Sequence, residues 1–128
     1  MVKMHRILYI EDNRDNRVLV RRILLASDHP FEMLEAASAM EGIRIAREQK
    51  PDLILMDLSM PEVDGLTATR TLRAFPETQH IPVVALTANV MQADKTRTLA
   101  AGCSGYIGKP IDIDRFPQDI LSYLRNGA

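Results

Sequence analysis

The sequence predicts a doubly wound α/β domain: five parallel strands in one sheet, each followed by a helix. Two observations carry this. Short apolar runs alternate strictly with stretches of helical periodicity along all 128 residues. One of those runs, Leu53-Ile54-Leu55-Met56, is apolar at every position, as a strand buried on both faces must be. The length suits one domain spanning 1–128, large enough to bury a core without disulfides or metals.

The first strand is Arg6–Ile10, which runs straight into Glu11 and Asp12. Asn13 can cap a helix through Ser27, where Val18, Leu19, Ile23 and Leu24 recur at helical spacing. His29-Pro30 ends it, because a residue before proline is pushed out of helical geometry. Phe31–Ala36 is a second, weaker strand. Ser38 caps a helix carrying Met40, Ile43 and Ala46, which stops before Pro51. The third strand ends at Asp57, and a turn from Pro61 to Gly65 leads into a helix from about Asp64 to Ala74. Pro82–Leu86 is the fourth strand, ending at Thr87, and a helix fits Met91–Ala101. Gly105-Tyr106-Ile107 is a short fifth strand before Lys109-Pro110. The last helix starts near Asp114, tolerates Pro117 in its first turn, and shows a stripe of Ile113, Phe116, Ile120 and Leu124. Right-handed crossovers leave few topologies, and the flavodoxin-like order 2-1-3-4-5 is expected.

In such a sheet, ligands bind beyond the carboxyl ends of the strands, near the switch point between strands 1 and 3. Those ends carry Glu11 and Asp12, then Asp57, Thr87 and Lys109. Each has a plain reading alone: the acids could cap a helix, Asp57 could be a loop acid, Lys109 a surface lysine and Thr87 a strand-end residue. Together they form one chemistry. Three carboxylates in a cleft repel unless a cation joins them. Hard oxygen donors with room for water suit Mg2+, or Mn2+ in its place. Lys109 could hold a phosphoryl oxygen, and Asp57, leaving the most buried strand, could act as nucleophile toward phosphorus.

The segments "LYIEDN" at 8–13, "PDLILMDLSMPEVDG" at 51–65, "IPVVALTA" at 81–88 and "GYIGKPI" at 105–111 resemble the receiver domain of two-component response regulators. The likeness runs from about His5 to Leu124; "LTANVM" at 86–91, with Asn16, is similar to receivers of hybrid kinases and stand-alone regulators. The resemblance implies that Asp57 accepts a phosphoryl group from a phosphohistidine of a sensor histidine kinase or histidine phosphotransfer protein. It implies Mg2+ bound by the side chains of Asp12 and Asp57 and the backbone carbonyl of Ser59, with Glu11 acting through water. Lys109 would contact the phosphoryl group, and its bond to Pro110 would be cis. Thr87 and Tyr106 would move on phosphorylation, beside the small Ala88, and remodel the surface of helix 4, strand 5 and helix 5 for a downstream protein. Ser59 and Asn89 would tune phosphate lifetime. Such a protein is a regulatory phosphoacceptor rather than an enzyme. Gly105 stands where one DNA-binding subfamily usually has an acid used in dimer salt bridges, so a monomer or a weak phosphorylation-linked dimer is expected.

Other classes fit less well. A flavodoxin needs a phosphate-cradling first loop, and Glu11 and Asp12 would repel a phosphate there. A haloacid-dehalogenase-type phosphatase wants an acid where Ser59 stands. A phosphorylation-independent pseudo-receiver is the remaining rival, though such proteins usually lose an acid or the lysine kept here. The net charge of −1, from 16 basic and 17 acidic residues, argues weakly against nucleic-acid binding, and no direct DNA binding is expected. The absence of a signal peptide or an apolar span points to a cytoplasmic protein off the membrane. The single Cys103, among small residues, is expected to be a packed, reduced thiol. His5, His29 and His80 are expected to be structural or exposed.

Overall fold

In the computed structural model, which describes residues 4–58, 60, 64–88 and 92–126, strands and helices alternate without exception. They are β1 (His5–Ile10), α1 (Arg14–Leu25), β2 (Phe31–Ala36), α2 (Ala39–Gln49), β3 (Leu53–Asp57), α3 (Gly65–Ala74), β4 (Val83–Thr87), α4 (Gln92–Ala100), β5 (Gly105–Gly108) and α5 (Phe116–Asn126). The strands form one parallel sheet in the order β2-β1-β3-β4-β5, the expected 2-1-3-4-5.

Strand alternation divides the core in two. Leu8, Ile10, Ile54, Met56, Val83 and Ala85 face α2 and α3, packing on Ala39, Ala46, Ala68 and Leu72. Ile7, Tyr9, Leu53, Leu55, Val84 and Leu86 face α1 and α5, packing on Val20, Ile23, Leu24, Phe116 and Ile120. Leu53 through Met56 are all fully buried, as the unbroken apolar run requires. Each such side chain contributes about 1.5–3 kcal/mol by leaving water.

The caps are those the sequence signals. Asn13, Ser38 and Asp64 accept from the backbone N–H of Asn16, Glu41 and Thr67 at 3.0, 3.2 and 2.9 Å. Three expectations need correction. Helix α1 stops at Leu25, short of Ser27, because the Ser27 hydroxyl accepts from the His29 N–H at 3.1 Å and bends the chain into a turn. Helix α5 starts at Phe116: Asp112 Oδ1 accepts from the N–H groups of Asp114 and Arg115, so residues 113–115 form a turn. Ile113 is therefore exposed and lies outside the apolar stripe. Met40 is also exposed, because α2 buries Ala39, Gly42 and Ala46; a side chain at Gly42 would strike Ile10.

At the sheet edge, the Tyr123 hydroxyl of α5 donates to the Tyr106 carbonyl of β5 at 3.2 Å, and its ring lies where a side chain at Gly105 would project. Cys103 is buried, with its sulfur 3.6 Å from the Thr69 hydroxyl; burial raises its pKa and keeps it a thiol. Among the described residues no helix is long and apolar enough to cross a membrane.

Candidate functional site

The parallel register decides which side chains meet. Ile10 pairs with Met56, so Glu11 and Asp57 take the next place on adjacent strands. They extend the face occupied lower down by Tyr9 and Leu55. The backbone N–H of Glu11 bonds to the Ala36 carbonyl of β2 at 2.9 Å, which carries the ladder one residue past β1. Both acids are almost fully buried, at 1% and 3% exposure, whereas Asp12 is exposed. Carboxylate oxygens of Glu11, Asp12 and Asp57 lie within 4.8 Å of one another.

Lys109 supplies the positive charge. Its backbone N–H bonds to the Thr87 carbonyl at 2.8 Å, continuing the β4–β5 pairing, and the Lys109–Pro110 peptide is cis. Its Nζ lies 3.2 Å from Asp57 Oδ1 and 3.7 Å from Glu11 Oε1. Gly65, the first residue of α3, lets that helix press against the end of β3: a Cβ there would sit 2.6 Å from the Asp57 carbonyl oxygen.

Burial pushes the Glu11 carboxyl up to about 7, and its hydrogen bond with Asp57 and the charge on Asp57 add to this. A hydrogen bond from Asn16 and the charge of Lys109 act the other way. The two carboxyls thus share a deficit of positive charge that one lysine only partly corrects. Three hard oxygen donors, two walled in and one open to water, fit a small divalent cation.

The other expected residues surround this centre at varying distance. Thr87 ends β4 beside β5 and is half-buried; Ala88 follows and is exposed. Tyr106 sits two residues lower on β5, half-buried, with Lys95 Nζ 5.3 Å from its ring centroid. Ser59 and Asn89 lie outside the described residues.

Three neighbours of the acids were not legible as a set. Asn16 Nδ2 donates to Glu11 Oε1 at 2.7 Å, and the Tyr9 hydroxyl donates to the same oxygen at 3.3 Å. Arg17 Nη1 donates to the Glu11 main-chain carbonyl at 2.7 Å, while its Nε lies 3.5 Å from Glu35 of β2. The available signals were Tyr9 lying two residues before Glu11 on one strand face, and Asn16 and Arg17 in the first turn of the following helix.

An aspartate and a lysine paired inside an acidic cleft, at the switch point of a 2-1-3-4-5 sheet, define the receiver class of signalling domains. Residues 7–121 match the response regulator receiver domain family, and this chain belongs to it. A curated relative, the polar-differentiation response regulator DivK of Brucella ovis, is 44% identical over 118 residues, covering 92% of this chain and 94% of the relative. The receiver domain of the sensor histidine kinase PA1611 from Pseudomonas aeruginosa has a crystal structure with a magnesium ion coordinated in its active-site cleft. It superposes with a TM-score of 0.85 at 31% identity, covering 96% of this chain and 99% of that one. Chemotaxis protein CheY4 of Vibrio cholerae shares the fold at a TM-score of 0.83 and 24% identity, covering 98% of this chain and all of that one.

Proposed function

We propose that this receiver is a phosphoacceptor and not an enzyme in its own right. An oxygen of Asp57 attacks the phosphorus of a partner's phosphohistidine, the N–P bond breaks, the imidazole leaves, and an aspartyl phosphate remains. The observation that carries this reading is the contact of Lys109 Nζ with Asp57 Oδ1 at 3.2 Å within the acidic cluster. Lys109 is placed to trade that carboxylate for a phosphoryl oxygen as the group arrives. Asp12 and Asp57, with the Ser59 carbonyl that the family resemblance assigns, would hold the cation directly, and Glu11 would hold it through water. When bound, Mg2+ or Mn2+ offsets the charge that builds on the transferring group.

Phosphorylation then acts as a local charge event on a two-state surface. Thr87 draws toward the phosphoryl group and Tyr106 turns inward, remodelling α4, β5 and α5 for a downstream protein. Ser59 and Asn89 set how long the phosphate lasts. The donor is a sensor histidine kinase or histidine phosphotransfer protein in the cytoplasm, and the chain acts as a monomer or a weak phosphorylation-linked dimer. The kinship with DivK and with the Mg2+-bound PA1611 receiver supports this assignment.

Incubation with acetyl phosphate and Mg2+, followed by intact mass measurement, tests the reading. The wild type should gain one phosphoryl group and Asp57→Ala none. Equal phosphorylation of the two would overturn it.

A further inference from the structure

One polar atom lies where packing gives no reason for it. The buried cluster between the sheet and α1 and α5 consists of Ile7, Val20, Ile23, Leu24, Phe31, Leu53, Leu55, Val84, Leu86, Phe116, Ile120 and Tyr9. Only Tyr9 brings a side-chain heteroatom. It is fully buried, so its hydroxyl loses water on folding, a loss that phenylalanine would avoid while filling nearly the same volume. That hydroxyl donates to Glu11 Oε1, at 3.3 Å.

We propose that Tyr9 is a positioning residue for the metal site: with Asn16 it pins one oxygen of Glu11 and so turns the other toward the acidic cluster. This rests on the reading of Glu11, Asp12 and Asp57 as a cation site. Oε1 of Glu11 is approached by Asn16 Nδ2 from α1, by the Tyr9 hydroxyl from beneath and, at 3.7 Å, by Lys109 Nζ. None of these three contacts falls on Oε2, the oxygen we assign to a metal-bound water, which would take the place of the Glu11–Asp57 hydrogen bond. The Asn16 contact is short and the Tyr9 contact long, so Asn16 gives the stronger restraint on Oε1 and Tyr9 the weaker. Burial first, then the carboxylates of Glu11 and Asp57, raise the phenol far above its ordinary range. Groups behind a metal-holding carboxylate commonly govern affinity although they never touch the ion.

The test compares Mg2+ binding by calorimetry in the wild type, Tyr9→Phe and Asn16→Ala, with urea unfolding of each in chelator. Tyr9→Phe should bind Mg2+ about three- to tenfold more weakly, by the usual net effect of one hydrogen bond of ordinary strength, as its 3.3 Å length suggests. Its metal-free stability should equal or exceed that of the wild type. Asn16→Ala should weaken binding by at least as much, since it removes the shorter bond. Undiminished Mg2+ affinity in Tyr9→Phe, with a wild type that binds, overturns this inference alone. A Tyr9→Phe protein markedly less stable without metal would make the hydroxyl a structural group and overturn it too. A wild type that binds no Mg2+ overturns the cation site itself.

Discussion

Lys109 and Asp57 are 52 positions apart in sequence, yet Nζ and Oδ1 stand 3.2 Å apart at the mouth of the sheet. The lysine also lies 3.7 Å from Glu11, so one cation serves two buried acids.

Lys109→Ala should therefore harm the metal-free fold as well as phosphorylation. Leaving two nearly buried carboxylates without their cation is expected to lower stability by about 1–3 kcal/mol at neutral pH. The loss should shrink in Mg2+, which supplies the missing positive charge. Urea unfolding with and without Mg2+ reads it; equal stability of the two proteins in chelator would remove Lys109 from this role.

Glu11 gives the site a pH dependence. Its carboxyl titrates near 7 in the fold, against about 4.5 in the unfolded chain. The pKa is raised, so its stabilising contribution is complete below about 4.5 and disappears as pH climbs through about 7. A cation needs the ionised acid, so binding expels the proton. Mg2+ affinity should rise between about pH 6 and pH 8 and flatten above, with proton release visible by calorimetry in buffers of different ionisation enthalpy. A flat profile across that interval would contradict the assignment.

Asp12 and Asn13 are neighbours with separate tasks. Asn13 caps α1 through the Asn16 N–H, so Asn13→Ala should reduce stability by about 1 kcal/mol and leave Mg2+ affinity as it was. Asp12 is exposed, so Asp12→Ala should leave stability nearly unchanged and weaken Mg2+ about tenfold or more. If the two substitutions affect Mg2+ alike, Asp12 is only a helix-end acid.

Gly65 sets how closely α3 approaches the reacting aspartate. In Gly65→Ala the new methyl would meet the Asp57 carbonyl oxygen at 2.6 Å and Leu58 Cδ2 at 2.8 Å. Something must move, and overpacking of this kind costs about 1–3 kcal/mol. Phosphorylation by acetyl phosphate should slow as Asp57 shifts. Unchanged stability and rate together would mean that the helix end is softer than its packing implies.

The sheet and the acidic rim were legible because both follow from local rules: alternation gives the strands, and parallel strands present their carboxyl ends together. What was hidden depends on docking and register. Tyr9 reads as another apolar strand residue until the Glu11–Ala36 bond, which keeps Glu11 extended past β1, sets its carboxyl over the Tyr9 hydroxyl. His5 and His29 look unrelated in sequence, yet His5 pairs with Phe31 across β1 and β2, and the turn after α1 brings His29 Nε2 within 2.7 Å of His5 Nδ1. Ile113 completes a helical stripe on paper, but Asp112 takes the capping role and delays the helix past it.

The fit of Tyr123 over Gly105 ties what can stand at one position to what stands at the other. A Cβ at position 105 would come within 2.2 Å of the Tyr123 ring, so an acid cannot appear there while the tyrosine stays where it is. Tyr123 must be replaced or turn aside as the new side chain enters, giving up its bond to the Tyr106 carbonyl. A salt bridge built from an acid at residue 105 would thus be offset by the loss of that bond at the sheet edge. The two positions are therefore coupled: a residue larger than glycine at 105 comes at the expense of the bond that ties α5 to the edge strand.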